Sequence, residues 1–141
     1  LLNLKRLEEA KSELEAAVLA GNPDLPMARW KLAAVHIAFE QPDPALQLLL
    51  PMEQSFAGQY EVVGGLGFAF YLKGEYRKAV EYLERAMTLR PPDALLLNAL
   101  GYSHLQLGNT ERARGAFERS LQMEPGQSEV ERLLASVGES R

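Results

Sequence analysis

The chain has 141 residues, of which 47% are hydrophobic, and a formal net charge of −4. This is the size of one ordinary domain with enough apolar side chains for a core, so we do not expect disorder, and the dispersed Lys and Arg residues offer no basic surface to nucleic acid. Cysteine is absent, which excludes a disulfide framework and thiolate metal sites, and no apolar run approaches the ~20 residues of a membrane span.

The chain starts at Leu1 rather than Met, and its first apolar residues are followed at once by Lys5 and Arg6. This start is not a signal peptide as it stands. We therefore expect a fragment of a longer protein whose N-terminal part is missing. The absence of cysteine is compatible with a reducing or an oxidising compartment, and we favour a soluble, cytoplasmic protein over a periplasmic one.

The first predicted element is a helix within residues 1–21, in which Ala10, Leu14 and Ala17 have helical spacing. The same size classes recur 35 residues later in a predicted second helix. We therefore expect residues 1–21 to form a partial repeat or a capping helix.

Residues 26–127 have a period of 34 residues. Five positions keep their size class at this spacing: Leu32, Leu66 and Leu100; Ala33, Gly67 and Gly101; Ala45, Ala79 and Ala113; Leu49, Leu83 and Phe117; Met52, Ala86 and Ser120. A fixed period of this length is typical of helical repeat proteins. We divide this stretch into three units of two amphipathic helices each, 26–59, 60–93 and 94–127.

Helix-breaking residues separate the predicted helices. Gly74 and Gly108 stand where a first helix should end, and Pro91 and Pro125 follow the second helices. N-caps or first-turn prolines are expected at Asp43-Pro44, Asp93 and Asn109. Pro51 falls inside the second helix of unit 26–59 and should kink it or end it early.

Small residues predict close helix contact inside each hairpin. Gly67 or Gly101 on the first helix and Ala79 or Ala113 on the second let two backbones approach each other. After the third unit, the spacing of Val130, Leu133, Leu134 and Val137 predicts an amphipathic capping helix over residues 128–138.

The units Tyr60 to Pro92 and Ala94 to Gly126 resemble the tetratricopeptide repeat. The matching residues of the second of these units are Leu100-Gly101, Leu107-Gly108, Ala113, Phe117 and Pro125. Unit 26–59 departs from the pattern, with Ala33 for Gly and Ala57 for the closing Pro. The resemblance implies an all-α fold, a right-handed α-α superhelix of antiparallel hairpins with about three repeats.

No catalytic or metal-binding pattern emerges from the remaining residues. His36 and His104 share the repeat position of Phe70 and are interpreted as helix-packing residues, without Cys or a partner at metal-ligand spacing. Gly64-Gly65-Leu66-Gly67 lacks the Lys-Ser/Thr of a phosphate loop, paired acids lie on polar helix faces, and no Ser lies in a Gly-x-Ser-x-Gly turn. We expect no enzymatic activity, no cofactor and no metal.

The resemblance implies that the first helices line a concave groove. The matching positions are Met27, Trp30, Ala34, Ile37 and Ala38, then Glu61, Gly64, Phe68, Tyr71 and Leu72, then Leu95, Asn98, Tyr102, Leu105 and Gln106. This set is strongly apolar and aromatic, which indicates a surface meant to be covered. We expect a protein or peptide with apolar anchors, with Asn98 and Gln106 bonding its backbone.

One subclass of the family holds acidic C-termini of heat-shock chaperones with Lys, Asn and Arg at set groove positions. The corresponding residues here are Trp30, Ala34, Gly65, Leu95 and Ala99, so an acidic chaperone tail is not the expected partner.

Three hypotheses of function remain open. The first is an adaptor or chaperone-like module that binds a partner polypeptide. The second is the accessory region of a larger enzyme, and the third is self-assembly into a homo-oligomer through open repeat ends. Alternatively, the groove side chains are covered by the protein itself, by the helix from Leu4 to Leu19, by a neighbouring repeat or by a second copy.

Overall fold

A computed structural model describes residues 2–20 and 26–139 of the chain. Within these residues the chain forms eight α-helices, one 3₁₀ turn and no β-strand. The elements are α1 (Leu2–Leu19), α2 (Pro26–Ala38), α3 (Pro42–Leu49), the 3₁₀ turn Leu50–Met52, α4 (Tyr60–Lys73), α5 (Tyr76–Leu89), α6 (Ala94–Gln106), α7 (Thr110–Met123) and α8 (Ser128–Glu139).

The helices pack as consecutive hairpins, α2 with α3, α4 with α5 and α6 with α7. The first helices α2, α4 and α6 contact one another in a single layer, and each second helix also packs on the next first helix. Helix α1 packs on α2, and α8 packs on α7. The predicted all-α, right-handed α-α superhelix is confirmed.

The first helix of each hairpin ends in the same hydrogen-bonded turn. A backbone N–H donates to the carbonyl five residues earlier, and the residue before the donor has a left-handed φ. The three turns are Gln41 N to His36 O at 2.8 Å with Glu40 at φ 56°, Glu75 N to Phe70 O at 2.9 Å with Gly74 at φ 83°, and Asn109 N to His104 O at 2.8 Å with Gly108 at φ 81°. The predicted helix ends at Gly74 and Gly108 are confirmed.

Glycine allows the two helices of a hairpin to touch. A Cβ on Gly67 would lie 2.7 Å from Leu83 Cδ2 and 3.1 Å from the Leu83 backbone nitrogen. A Cβ on Gly101 would lie 2.6 Å from a ring carbon of Phe117. On the second helices of these two hairpins, Ala79 and Ala113 are fully buried. The predicted role of small residues in close helix contact is therefore confirmed.

Pro51 shortens the second helix of the first hairpin, as the sequence predicts. Helix α3 ends at Leu49, and the chain tightens into the 3₁₀ turn that contains Pro51. Proline has no amide hydrogen for the helical bond and its ring clashes with the preceding turn. The loop that follows carries Phe56, which packs against the core.

The predicted N-caps differ from one another in the structure. Asp93 caps α6, because its carboxylate accepts a hydrogen bond from Leu96 N at 2.8 Å. Asp43 lies inside the first turn of α3 and pairs with Lys73 at 3.0 Å. Asn109 precedes α7 without a side-chain bond to that helix.

The core runs through the hairpins and ends under α8. Its main cluster extends from α2 to α6, and a smaller cluster joins Ala113 and Phe117 of α7 to Val130 of α8. Val130 and Val137 are buried, so the apolar face of α8 covers the C-terminal end of the stack.

Candidate functional site

The exposed side of α2, α4 and α6, here called the groove face, carries twelve of the fifteen residues that the sequence placed in a groove. None of them belongs to the fully buried core. They are half-buried at Trp30, Ile37, Phe68, Tyr71, Leu72, Asn98, Tyr102 and Leu105, and exposed at Met27, Ala34, Leu95 and Gln106. Met27 and Leu95 are apolar side chains with exposed fractions of 54% and 67%.

The structure divides this face into two cavities. Four of the twelve residues, Trp30, Ala34, Ile37 and Phe68, line a cavity between α2 and α4, and another four, Tyr71, Leu72, Asn98 and Tyr102, line a cavity that α8 helps to form. The remaining four, Met27, Leu95, Leu105 and Gln106, line neither of these two cavities.

The first cavity, here called the Trp30 pocket, has a volume of about 320 Å³. It is lined by Trp30, Lys31, Ala34, Ile37, Tyr60, Glu61, Gly64, Gly65 and Phe68. Trp30 and Phe56 pack edge to face, with ring centroids 5.9 Å apart and an angle of 76° between the ring planes. Phe56, in the loop after the 3₁₀ turn, thus holds the indole in place. Aromatic walls and an apolar floor suit an apolar side chain.

Polar residues form the rim of the Trp30 pocket. Arg90 donates to Glu61 at 2.8 Å, Gln59 donates to the same carboxylate at 2.6 Å, and the Arg90 guanidinium lies 4.5 Å from the ring centre of Tyr60. Burial alone would raise the pKa of Glu61, but the hydrogen bonds from Gln59 and Arg90 lower it overall. Burial raises the pKa of Tyr60, and Asp93 adds to that shift. Glu61 therefore stays charged and Tyr60 neutral near pH 7.

Two adjacent glycines of α4 have different roles at this pocket. A Cβ on Gly65 would lie 2.8 Å from Leu49 Cδ1, so a side chain at residue 65 would displace the end of this leucine of α3. A Cβ on Gly64 would meet only the Tyr60 ring at an ordinary 3.4 Å. The absence of a side chain at Gly64 therefore leaves room in the Trp30 pocket without being required for helix packing.

The second cavity, here called the tyrosine pocket, has a volume of about 420 Å³. Its lining consists of Tyr71, Leu72, Tyr76, Asn98, Tyr102, Phe117, Glu129, Val130 and Leu133. Three tyrosines from α4, α5 and α6 contact each other pairwise, edge to face. The centroid distances are 6.4 Å for Tyr71 and Tyr76, 6.0 Å for Tyr71 and Tyr102, and 5.9 Å for Tyr76 and Tyr102.

Asn98 is held by the protein's own hydrogen bonds. Its Nδ2 donates to Gln127 Oε1 at 2.7 Å, and its Oδ1 accepts from the Ser120 hydroxyl at 2.5 Å. Gln127 also donates to the carbonyl of Glu124 at 2.8 Å. This network ties α6 to α7 and to the start of α8. The bond from Asn98 to a partner's backbone stays a prediction, with one amide hydrogen already committed.

Several lining residues were not among the predicted site residues. Tyr60 and Tyr76 are the first residues of α4 and α5, and Glu129 belongs to α8, which the sequence predicts only as a cap. The repeat register gives no signal for Tyr76, because the equivalent positions hold Pro42 and Thr110.

Both histidines are buried within the hairpins. His36 is 2.8 Å from Gln41 through Nδ1, and His104 has Nε2 3.7 Å from Glu84. Burial lowers the pKa of His104, and the nearby Glu84 opposes that shift. In the part of the chain that the structure describes, no three His, Cys, Asp or Glu residues come together as metal ligands would.

A further cavity of about 440 Å³ lies between α5, α6 and α7. It is lined by Leu97, Leu100 and His104 together with residues of both charge signs, among them Glu84 and Arg112. Because acidic and basic side chains both line this cavity, its charge favours neither an anionic nor a cationic ligand.

The stacked hairpins and their partly exposed apolar face place this chain among the α-helical repeat proteins that serve protein-protein interaction. Residues 70–137 match the family model described as tetratricopeptide repeat, so this part of the chain carries tetratricopeptide repeats, as predicted. No helix within the described residues combines the length and the apolar character that crossing a bilayer demands.

Relatives share only part of their length with this chain. It is 37% identical over 65 residues to the peroxisomal targeting signal receptor of Candida albicans, which is 46% of this chain and 11% of the relative. It is 33% identical over 104 residues to the PEX5-related protein of Rattus norvegicus, which is 74% of this chain and 13% of the relative. The crystal structure of MamA superposes with a TM-score of 0.79 at 20% identity, covering 97% of this chain and 80% of that one, and shows the likeness in fold.

Proposed function

We propose that this chain is a non-catalytic interaction module of the adaptor or chaperone-like kind, which binds a partner polypeptide along the groove face. The observation that carries the proposal is the Trp30 pocket. Trp30, Tyr60 and Phe68 surround a space of about 320 Å³, and Gly64 keeps that space open without serving the fold. Such a pocket suits one large apolar side chain of a bound segment.

The comparisons agree with this proposal at a coarser level. One relative is named as a receptor for a peroxisomal targeting signal, which is a protein that recognises a signal. Because this chain covers 11% of that relative, the identity of the signal is not carried over. The exposed apolar residues Met27 and Leu95 extend the groove face beyond the Trp30 pocket.

A pair of glycine substitutions tests the proposal. Gly64→Ala places a methyl group at the Trp30 pocket where it fits the protein, whereas Gly115→Ala adds the same methyl on an exposed part of α7 with nothing within 4 Å. Each variant should gain about 1 kcal/mol of stability from helix propensity. We would immobilise the natural chain and both variants, capture partners from lysate and compare them by quantitative mass spectrometry.

The proposal predicts a different outcome for each of the two variants in that experiment. A partner that is retained by the natural chain and by Gly115→Ala, but depleted on Gly64→Ala, supports binding at the Trp30 pocket. Partners captured equally by all three chains would reject the pocket as the binding site.

A second candidate, self-association, is favoured by α1. Its Leu4 and Leu19 side chains have exposed fractions of 51% and 83%. These two exposed leucines lie near the two ends of α1, and a second copy could cover them. Sedimentation equilibrium over a range of protein concentrations tests this candidate, and a mass that stays at 15.7 kDa would exclude it.

A further inference from the structure

Four aromatic rings of the chain have a cation of the chain over their faces. Lys11 lies 5.6 Å from the centroid of Phe39, Lys78 lies 5.1 Å from Phe70, Arg85 lies 5.1 Å from Tyr82, and Arg90 lies 4.5 Å from Tyr60. Among the described residues, no Lys or Arg lies over Tyr71, Tyr76 or Tyr102. The three tyrosines that contact each other therefore lack the cation that these four rings have.

The charge of the tyrosine pocket is also unbalanced. Its lining contains one carboxylate, Glu129, and no Lys or Arg. Glu129 is exposed in the first turn of α8, and within the described residues it forms no ion pair. A cavity with aromatic walls and a free carboxylate attracts positive charge through the ring quadrupoles and through Coulomb attraction.

The pKa of Tyr71 responds in part to the charge of Glu129. Burial raises the pKa of Tyr71, and the neighbouring tyrosines and the negative charges of Glu129 and Glu40 raise it further. Of these causes, the negative charges of Glu129 and Glu40 favour a cation beside Tyr71, whereas burial disfavours any charge.

We propose that the tyrosine pocket receives the ammonium or guanidinium group of a Lys or Arg side chain of the partner polypeptide. This inference rests on the proposed function, since the same segment would place an apolar side chain in the Trp30 pocket. Phe68 of one pocket and Tyr71 of the other are three residues apart on α4, so they lie on one face of that helix, about 4.5 Å apart along its axis. One extended segment can therefore reach both pockets.

An anionic or a purely apolar occupant fits less well. An anion would be repelled by Glu129, the one charged residue of the lining. An apolar group would contact the rings but would leave the attraction of the carboxylate unused. A cationic side chain uses both, because its methylene stem packs on the rings while its head faces Glu129.

The test uses small probes that do not need the natural partner. Nα-acetyl-arginine amide and Nα-acetyl-lysine amide are titrated against the chain, with Nα-acetyl-norleucine amide as a neutral probe of similar shape. Ring-labelled tyrosine spectra follow binding at the five tyrosines of the chain, assigned by single Tyr→Phe variants. We expect saturable shifts at Tyr71, Tyr76 and Tyr102 with at least one cationic probe, and no comparable shift at Tyr82, whose ring already faces Arg85.

Two matched variants separate charge from fold. Glu129→Gln should weaken cation binding about two- to fivefold, as expected for an ion pair at an exposed site. Glu131→Gln removes a charge from the same exposed turn of α8 outside the cavity and should leave the affinity unchanged. Added salt should weaken binding to the natural chain and have less effect on Glu129→Gln.

Two results would overturn the inference. Equal shifts with the norleucine probe would show that the pocket binds apolar groups without a preference for positive charge. The absence of saturable shifts with both cationic probes would show that it is not a cation site. The fluorescence emission of Trp30 reports on the Trp30 pocket separately. If the tyrosine pocket binds the cationic probes but no peptide changes the emission of Trp30, the proposed function is refuted and the cation site stands.

Discussion

Gly101 of α6 faces Phe117 of α7 so closely that a Cβ on residue 101 would lie 2.6 Å from the ring. Gly101→Ala should therefore lower the free energy of unfolding by about 1–3 kcal/mol, because the methyl group displaces a fully buried ring. Urea unfolding followed by circular dichroism measures this change. Gly115→Ala is the matched control and should raise stability by about 1 kcal/mol. If both variants gain stability, the contact between α6 and α7 is looser than described.

Glu40 has a left-handed backbone conformation at a turn position where the other two hairpins have glycine. Its φ is 56°, and Gly74 and Gly108 stand at the same position with φ 83° and 81°. Glu40→Gly should raise the free energy of unfolding by about 0.5–1 kcal/mol. It removes backbone strain of about 1–2 kcal/mol, and the greater backbone freedom of glycine in the unfolded chain offsets part of that gain.

The control for that variant is Glu40→Gln, which removes the charge and keeps the side chain. It should leave stability nearly unchanged, since the strain belongs to the backbone. Equal gains from Glu40→Gly and Glu40→Gln in urea unfolding would assign the effect to charge and contradict the prediction.

His104 makes stability sensitive to mild acid. Burial holds its pKa below the ordinary value of 6.5, so the unfolded chain takes up the proton first as the pH falls. The contribution of neutral His104 to stability is complete above about pH 6.5 and is lost as the pH falls toward the folded-state pKa. His104→Phe, which copies Phe70 of the preceding repeat, should flatten the decline in unfolding free energy between about pH 7.5 and pH 5.5. Identical slopes for the natural chain and the variant would show that His104 does not titrate on unfolding.

The sequence predicted those features that each repeat contains within itself. The 34-residue spacing of Ala45, Ala79 and Ala113 identifies the hairpins, and the glycines at 74 and 108 mark the turns, because both depend on local helix geometry. The early end of α3 is also a local effect, because Pro51 has no amide hydrogen for a helical hydrogen bond.

The details of the site depend on contacts between repeats, which the sequence did not reveal. Glu129 reaches the tyrosine pocket only because α8 packs beside α7, and Tyr76 joins Tyr71 and Tyr102 across three helices. Asn98 was predicted to meet a partner, yet its amide is already bonded to Gln127, which lies 29 residues away in the chain. Neither pairing has a signal in the spacing of a single repeat.

The most direct test of the account is the fluorescence of Trp30, the sole tryptophan of the chain, which lies in the Trp30 pocket. Peptides selected from a random library for binding are titrated against the natural chain, Gly64→Ala and Gly115→Ala. We predict a saturable change in Trp30 emission, a dissociation constant about tenfold higher for Gly64→Ala because one methyl group fills part of the pocket, and an unchanged constant for Gly115→Ala. Peptides that bind all three chains alike, or that bind without altering Trp30 emission, would contradict the claim that this pocket receives the partner.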